Sequence, residues 1–557
     1  MKQLDVFMGT DQIGYLRERD DGVLIFGYNS AWFATGKAVA LSPELPLSEQ
    51  EHVGQAVTAY FDNLLPEGSV RDFIARVEHI SPNNVFGLLE RFGGDTASAF
   101  SLLPQGQTPS AEPHYLPVPM EAIREWFATS RGIPLNITGE QARMSLSGAQ
   151  DKLTVFVGED GAMAITLGSA PSSHIIKPSM GYPSQIPQTA INEALVMTLA
   201  KAIKLDVPDV QFMPELDAVV ISRYDREITP GGRLKRLHQN DLCQIMGVPS
   251  QRKYESEGGP SLRMCIDAIM QHSSQPALDK KRMIEWVAFN LAIGNMDSHA
   301  KNISLLVVNE RTRLAPFYDM VCTTVYPNLS KKFAFKIGGE NRPGWIMNRH
   351  WERFAGDIDV KPQLITKIRL DMSERIESAL PEVCDSLRQV VNRAEGLAMI
   401  ERVEAEVRRS VGQLRAHATA SAVPAPLHTA PVPTSPDNAL LGFDHYLKTK
   451  ISAAQRAFED AQETFWACGD SLPALRSEIE QHARATGTDP HALLASVFSD
   501  APPDDFKKRI ADAVAASNEV QTLHDSVRHA KHNLEKQLCR ASGPSSPTAE
   551  NDTGYEP

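Results

Sequence analysis

Asp297 and Asn302 stand five residues apart in Gly294-Asn295-Met296-Asp297-Ser298-His299-Ala300-Lys301-Asn302. A carboxylate and a carboxamide at that spacing suit phosphoryl transfer. The first accepts the proton of an attacking hydroxyl, and the second lends an oxygen to a divalent cation. Asp319, in Pro316-Phe317-Tyr318-Asp319-Met320, offers that cation a second carboxylate. Two lysines can meet phosphate oxygens. Lys177 ends the apolar run Ser173-His174-Ile175-Ile176-Lys177-Pro178, and a lysine in a buried strand costs free energy unless it meets an anion. Lys152 closes Ser145-Leu146-Ser147-Gly148-Ala149-Gln150-Asp151-Lys152, a small-residue turn whose backbone N–H groups can approach phosphate. Taken alone, the Asp297 loop reads at least as well as a charged, solvated turn, and the 145–152 stretch reads better as a Ser/Gly hairpin turn.

The flanking sequence supplies elements to hold these groups. A helical run over 283–293 stops at Gly294, and a short β-branched run over 303–308 reads as a buried strand. Residues 153–157 and 173–178 read as strands, and 189–203 as a helix carrying Glu193. Glu193 either orients Lys177 or is an exposed first-turn acid favoured by the helix dipole. The strand 218–222 runs into polar residues, so its end at Ser222 to Tyr224 either meets a base or simply turns towards Pro230-Gly231-Gly232. Helices are expected over 239–246, 262–270 and 280–293. His238 and His272 have no companions at metal-ligand spacing and read as structural. Strands followed by helices, with the chemistry between them, give an α+β, two-lobed, protein-kinase-like fold.

Upstream, 4–8 and 23–28 read as strands, a helix starts at Ser48 and ends at Pro66-Glu67-Gly68, and 70–77 and 85–92 read as further helices. This α/β subdomain carries no catalytic cluster, so its role is structural or partner-binding. The expected organisation is 1–104 for that subdomain, a connector, 120–235 for the strand-rich lobe and 236–415 for the helical lobe. An Ala/Pro-rich linker (416–437) then leads to a helical hairpin or coiled-coil appendage (438–540) and a disordered tail (541–557).

At 557 residues the chain exceeds one core and suggests three or four domains. A net charge of −13 argues against bulk attraction to nucleic acid or membranes. Six scattered cysteines with no C-x-x-C pair suggest reduced thiols. With no apolar signal core and no membrane-length apolar run, a cytoplasmic location is expected.

Taken together, the chain resembles the HipA-type serine/threonine kinase toxins of bacterial type II toxin–antitoxin modules, over roughly residues 4–415. The landmarks are the Ser145–Lys152 turn, His174-Ile175-Ile176-Lys177-Pro178, Leu237-His238-Gln239-Asn240-Asp241-Leu242-Cys243-Gln244, Lys253-Tyr254-Glu255-Ser256-Glu257-Gly258-Gly259-Pro260, the Asp297 loop and Phe317-Tyr318-Asp319. Phe61-Asp62-Asn63-Leu64-Leu65-Pro66-Glu67-Gly68 and Gly93-Gly94-Asp95 look like the family's N-terminal domain, which helps contact the antitoxin.

The resemblance implies ATP and Mg2+ as cofactors. It makes Asp297 the catalytic base, Asn302 and Asp319 the magnesium ligands, and Lys177 a phosphate-binding lysine. Ser147, Gly148, Ala149, Gln150, Asp151 and Lys152 become the loop over the phosphates, and Ser222 and Tyr224 frame adenine. His299 and Lys301 support geometry and charge around the nucleotide.

Ser145 matches the inhibitory autophosphorylation site, but the Ser-x-Ser pair leaves Ser147 as a rival. The implied partners are a protein substrate, such as an aminoacyl-tRNA synthetase, and a HipB-like antitoxin, with DNA reached only through the antitoxin. A small-molecule phosphotransferase and an inactive binding module are the alternatives. Intact Lys177, Asp297, Asn302 and Asp319 speak against the second.

Overall fold

Short, largely buried strands build the first sheet. The computed structural model describes residues 2–36, 38–110, 112–129, 136–137, 140–141, 150, 152–179, 186–230 and 232–419. The chain separates into two units, Met1–Val423 and Pro424–Pro557. The expected appendage and tail fall outside the described residues.

In the first unit β1 (Lys2–Met8), β2 (Asp11–Glu18), β3 (Leu24–Tyr28), α1 (Ser30–Ala34), β4 (His52–Val53), α2 (Gln55–Asp62), α3 (Gly68–Val77), α4 (Val85–Phe92) and β5 (Phe100–Pro104) follow in order. The strands form one antiparallel sheet in the order β4-β3-β2-β1-β5. Leu4, Val6, Leu16 and Phe26 of the sheet bury against Phe61 of α2 and Phe86 and Leu89 of α4. Asn84 caps α4, its Oδ1 accepting from the Gly87 amide at 2.8 Å. Strand β2 is new relative to the sequence reading, and the helix expected from Ser48 starts only at Gln55.

The second sheet begins inside the expected connector, at β6 (His114–Pro117). After it come α5 (Met120–Thr129), the short pair β7 (Asn136–Ile137) and β8 (Glu140–Gln141), β9 (Leu153–Val157), β10 (Met163–Leu167), β11 (His174–Pro178), α6 (Thr189–Ala202), β12 (Val210–Met213) and β13 (Ala218–Ser222). The order is β12-β13-β11-β9-β10-β6, antiparallel throughout. Lys177 therefore sits on an interior strand, opposite Val219 of β13.

A hairpin, β14 (Arg226–Ile228) and β15 (Leu234–Arg236), leads to β16 (Gln239–Asp241), α7 (Leu242–Ile245), α8 (Leu262–His272) and α9 (Pro276–Ala292). Residues 239–241 are strand rather than the expected helix, because Asp241 and Gln244 form a capping box that starts α7 only at Leu242. Strands β17 (Ser304–Val308) and β18 (Arg311–Leu314) complete a three-stranded sheet, β16-β17-β18. Helices α10 (Asn348–Asp357), α11 (Pro362–Val390) and α12 (Ala394–Thr419) close the lobe. Met283, Ile284, Trp286, Val287, Ala288 and Phe289 of α9 are wholly buried, which makes α9 the lobe's central helix. Helix α12 runs past the expected boundary at 415, and the Leu414 carbonyl accepts from Arg369 at 3.0 Å.

Asp95 joins the first sheet's subdomain to the second. It is 1% exposed and accepts from Arg226 at 2.9 Å, from Arg236 at 2.9 Å and from the Ser172 hydroxyl at 2.6 Å, with Arg223 at 3.5 Å. Asp225 takes the remaining charge of Arg223 and Arg226, at 2.8 and 2.6 Å. Burial pushes the Asp95 carboxyl up, but the three guanidinium groups outweigh it and hold it well below the usual carboxylate range. Removing one member of such a cluster leaves buried charge uncompensated. Asp95→Asn is expected to lower the unfolding free energy by about 3–5 kcal/mol, read from urea denaturation. A loss below about 1 kcal/mol would mean the cluster is no stronger than a surface ion pair.

Candidate functional site

The loop bearing Asp297 is fixed by a relay of amides. Asn290, buried in α9, bonds the Trp286 carbonyl at 2.8 Å and accepts from Asn295 at 2.8 Å. Asn295 in turn accepts from the Asp297 amide at 3.1 Å. Gly294 turns the chain with φ +71°, and an added Cβ would lie 2.1 Å from the Thr324 hydroxyl, so only glycine fits. The Met296 amide donates to the Thr323 hydroxyl at 2.8 Å. Asn302 closes the loop from the other end, its amide group donating to the Asp297 carbonyl at 3.1 Å.

Tyr254 meets the Asp297 carboxylate, its hydroxyl donating at 2.5 Å, and its ring stands edge-on to His299, 5.0 Å between centroids. Asp297 remains solvent-accessible in a crowded position, where desolvation raises its carboxyl above the usual value and the Tyr254 hydrogen bond opposes that rise. Tyr254 lies within one of the sequence landmarks, but nothing in its spacing pointed to Asp297.

Lys177 gathers two carboxylates. Its ammonium donates to Glu193 Oε1 at 2.7 Å and to Asp319 Oδ1 at 2.7 Å. Glu193 is 0% exposed, which excludes the exposed first-turn acid and leaves the Lys177 partner. Burial pulls the Lys177 pKa down, but Asp319 and Glu193 outweigh it and leave it above the ordinary lysine value. Lys177 and Lys152 hold Asp319 far below the usual carboxylate range. Burial and repulsion from Lys177 push Lys152 down to about 8. Asp319 also raises the Asp297 carboxyl electrostatically, so the two acids feel each other across the site.

Lys301 faces elsewhere than the sequence reading placed it. Its buried ammonium contacts Asn63 Oδ1 at 2.6 Å, Glu67 at 3.3 Å and Asp241 at 3.4 Å. Lys253 adds a second cation to Glu67 at 2.6 Å. Burial raises the Glu67 carboxyl, yet Lys301 and Lys253 bring it to about 2. The sequence reading missed Asn63 and Glu67, taking their segment as a helix end.

Ser222 bonds His174 at 3.1 Å, and the Tyr224 hydroxyl donates to Gln239 at 2.6 Å while its ring stacks on Tyr318. Gln150 donates to the Thr189 hydroxyl at 3.3 Å, tying the end of the small-residue turn to the start of α6. Ser145, Ser147, Gly148, Ala149 and Asp151 lie outside the described residues. Among the described residues no group of three or more His, Cys, Asp or Glu side chains could hold a metal ion alone. The oxygens of Asp319 and Asn302 still fit magnesium, a hard cation that takes one or two protein oxygens and completes its shell with phosphate and water. No helix among the described residues is long and apolar enough to cross a membrane.

Residues 4–103 match the HipA N-terminal domain and 144–380 the HipA-like C-terminal domain. The Sinorhizobium fredii protein Y4mE is 33% identical over 392 residues, covering 69% of this chain and 92% of Y4mE. The serine/threonine-protein kinase toxin HipA of Shewanella oneidensis is 28% identical over 395 residues, 68% of this chain and 89% of that protein. The Shewanella HipA structure, solved with HipB and operator DNA, superposes with a TM-score of 0.63 at 24% identity, covering 74% of this chain and 99% of that one. The fold is two-lobed and kinase-like. More particularly, the chain belongs to the HipA family.

Two buried imidazoles make stability pH-dependent. Burial pushes His299 down to about 3 and His238 to about 4. Both stay neutral in the fold but gain a proton in the unfolded chain below about pH 6.5. Their contribution is therefore complete above that pH and is lost as pH falls towards the folded values, at about 1.4 kcal/mol per unit for each ring. Urea midpoints are expected to drop between about pH 7.5 and about pH 5; an unchanged midpoint would contradict the neutral assignment.

Proposed function

We propose that the protein is an ATP- and magnesium-dependent protein serine/threonine kinase acting as the toxin of a type II toxin–antitoxin pair. The observation that carries the reading is Lys177 bridging Glu193 and Asp319 beside the loop that holds Asp297 and Asn302. These groups come from four separate parts of the chain and form the charge set that phosphoryl transfer requires.

In this reading a substrate hydroxyl attacks the γ-phosphorus of ATP, the bond to the β-phosphate oxygen breaks to release ADP, and the hydroxyl proton passes to Asp297. Tyr254 holds one Asp297 oxygen and leaves the other for that proton. Asn302 and Asp319 would hold magnesium, which neutralises phosphate charge when bound. Lys177 and Lys152 meet phosphate oxygens, Ser147 to Lys152 form the loop over them, and Ser222 and Tyr224 frame the base. Lys301 and His299 support the loop without touching the reacting atoms. The Shewanella relative supports a HipB-like antitoxin as partner, with DNA reached through it. Family resemblance alone supports a translation-related substrate such as an aminoacyl-tRNA synthetase.

With purified protein and labelled ATP, Asp297→Asn is expected to lose transfer by at least about 100-fold while nucleotide binding persists. Full activity in that variant would sink the assignment. Asp319→Ala should raise the magnesium concentration needed for nucleotide binding, and an unchanged magnesium titration would show that another group is the ligand. A phosphate at Ser145 or Ser147 adds roughly −1.5 to −2 charges where ATP phosphates must sit, so self-modification should silence the enzyme. Peptide mapping after ATP incubation should find phosphate on one of the two serines, and its absence from both would end the self-inhibition model.

A further inference from the structure

A pocket of about 260 Å³ opens beside Gly294 and Met296, walled also by Leu291, Trp351 and the C-terminal turns of α12. Arg369 lines it and is 0% exposed. One of its terminal nitrogens donates to Asn348 Oδ1 and the other to the Leu414 carbonyl, both at 3.0 Å, and its guanidinium lies 4.8 Å from the Trp351 ring centroid. Its Nε has no hydrogen-bond partner among the described residues. All of these contacts are neutral. Burial alone moves its pKa, downward to about 10, with no acid opposing it.

Lys331 lines the same pocket and likewise spends its ammonium on carbonyls, those of Thr324 at 2.9 Å and Tyr326 at 2.7 Å. Arg409 differs, because it has Glu406 as a partner within the pocket wall. Arg409 and Glu406 cancel, and two cations remain without a counter-charge among the described residues.

A buried guanidinium without an acid is unfavourable unless another anion arrives. Small-ligand sites combine apolar walls with a few converging polar groups, which is the composition found here. We propose that this pocket binds a small anionic compound, a phosphate or carboxylate, seated on Arg369 and Lys331 with its apolar part against Trp351 and Leu291. The claim does not depend on the phosphotransferase reading, whose lysines are Lys152 and Lys177.

Calorimetric titration of the full chain with inorganic phosphate and with citrate tests it. At least one anion should bind saturably, phosphate alone pointing to phosphoryl compounds and citrate alone to carboxylates. Lys331→Gln should weaken binding by about tenfold or more, the worth of one charge-assisted hydrogen bond, while Lys332→Gln, at an exposed neighbour outside the pocket lining, should bind as the wild type does. Arg369→Gln should lose binding outright. Because that buried substitution can also unfold the lobe, the exposed Lys331 decides. No saturable binding of either anion, wild-type affinity in Lys331→Gln, or equal weakening in Lys332→Gln would each overturn the proposal.

Discussion

The buried ammonium of Lys301 is the contact on which the arrangement of the loop depends. It reaches out of the Asp297 loop into the N-terminal subdomain, to Asn63 and Glu67, and to Asp241 at the start of α7. A desolvated lysine is tolerable only with such partners around it, so three elements are held in register by one charge. Lys301 also precedes Asn302, whose side chain fastens the Asp297 carbonyl. The N-terminal subdomain, which by sequence carries no catalytic cluster, thus sets the geometry of the loop proposed to act.

A second route runs between the same partners. Glu67 also holds Lys253, and the next residue, Tyr254, donates to the Asp297 carboxylate. One acid of the N-terminal subdomain therefore braces the loop through Lys301 and steadies the segment bearing Tyr254 through Lys253. Within the same lobe, Tyr318 donates to the Lys301 carbonyl at 2.6 Å and stands next to Asp319. Asp297 and Asp319, the two carboxylates of the proposed chemistry, therefore share a frame.

Much of this was legible in the sequence where the signal is local. The run of apolar residues through Phe289 and Ile293, stopped by Gly294, gave α9 and its exit because periodicity and a left-handed glycine are neighbour effects. The strands ending at Val157 and Pro178 followed for the same reason. What escaped has non-local causes. Strand β2 is too polar to announce itself and forms because β1 and β3 flank it. Strand β6 hides in a connector because its partner, β10, lies beyond it in the chain. The helix expected over 239–246 begins late because β17 pairs with its first three residues. Tyr254, Asn63, Glu67 and the acid–arginine cluster around Asp95 have no periodic signature, since each acquires its partner only when distant segments meet.

The Asp95 cluster bears on how such a protein can be passed on. The segments matching the two family domains, 4–103 and 144–380, meet in one desolvated knot of charge. A gene fragment encoding only the later segment would strip Asp95 from three guanidinium groups, and Arg236 has no other acid among the described residues. A chain carrying the later segment alone would have to draw that counter-charge from another acid or from a separate partner.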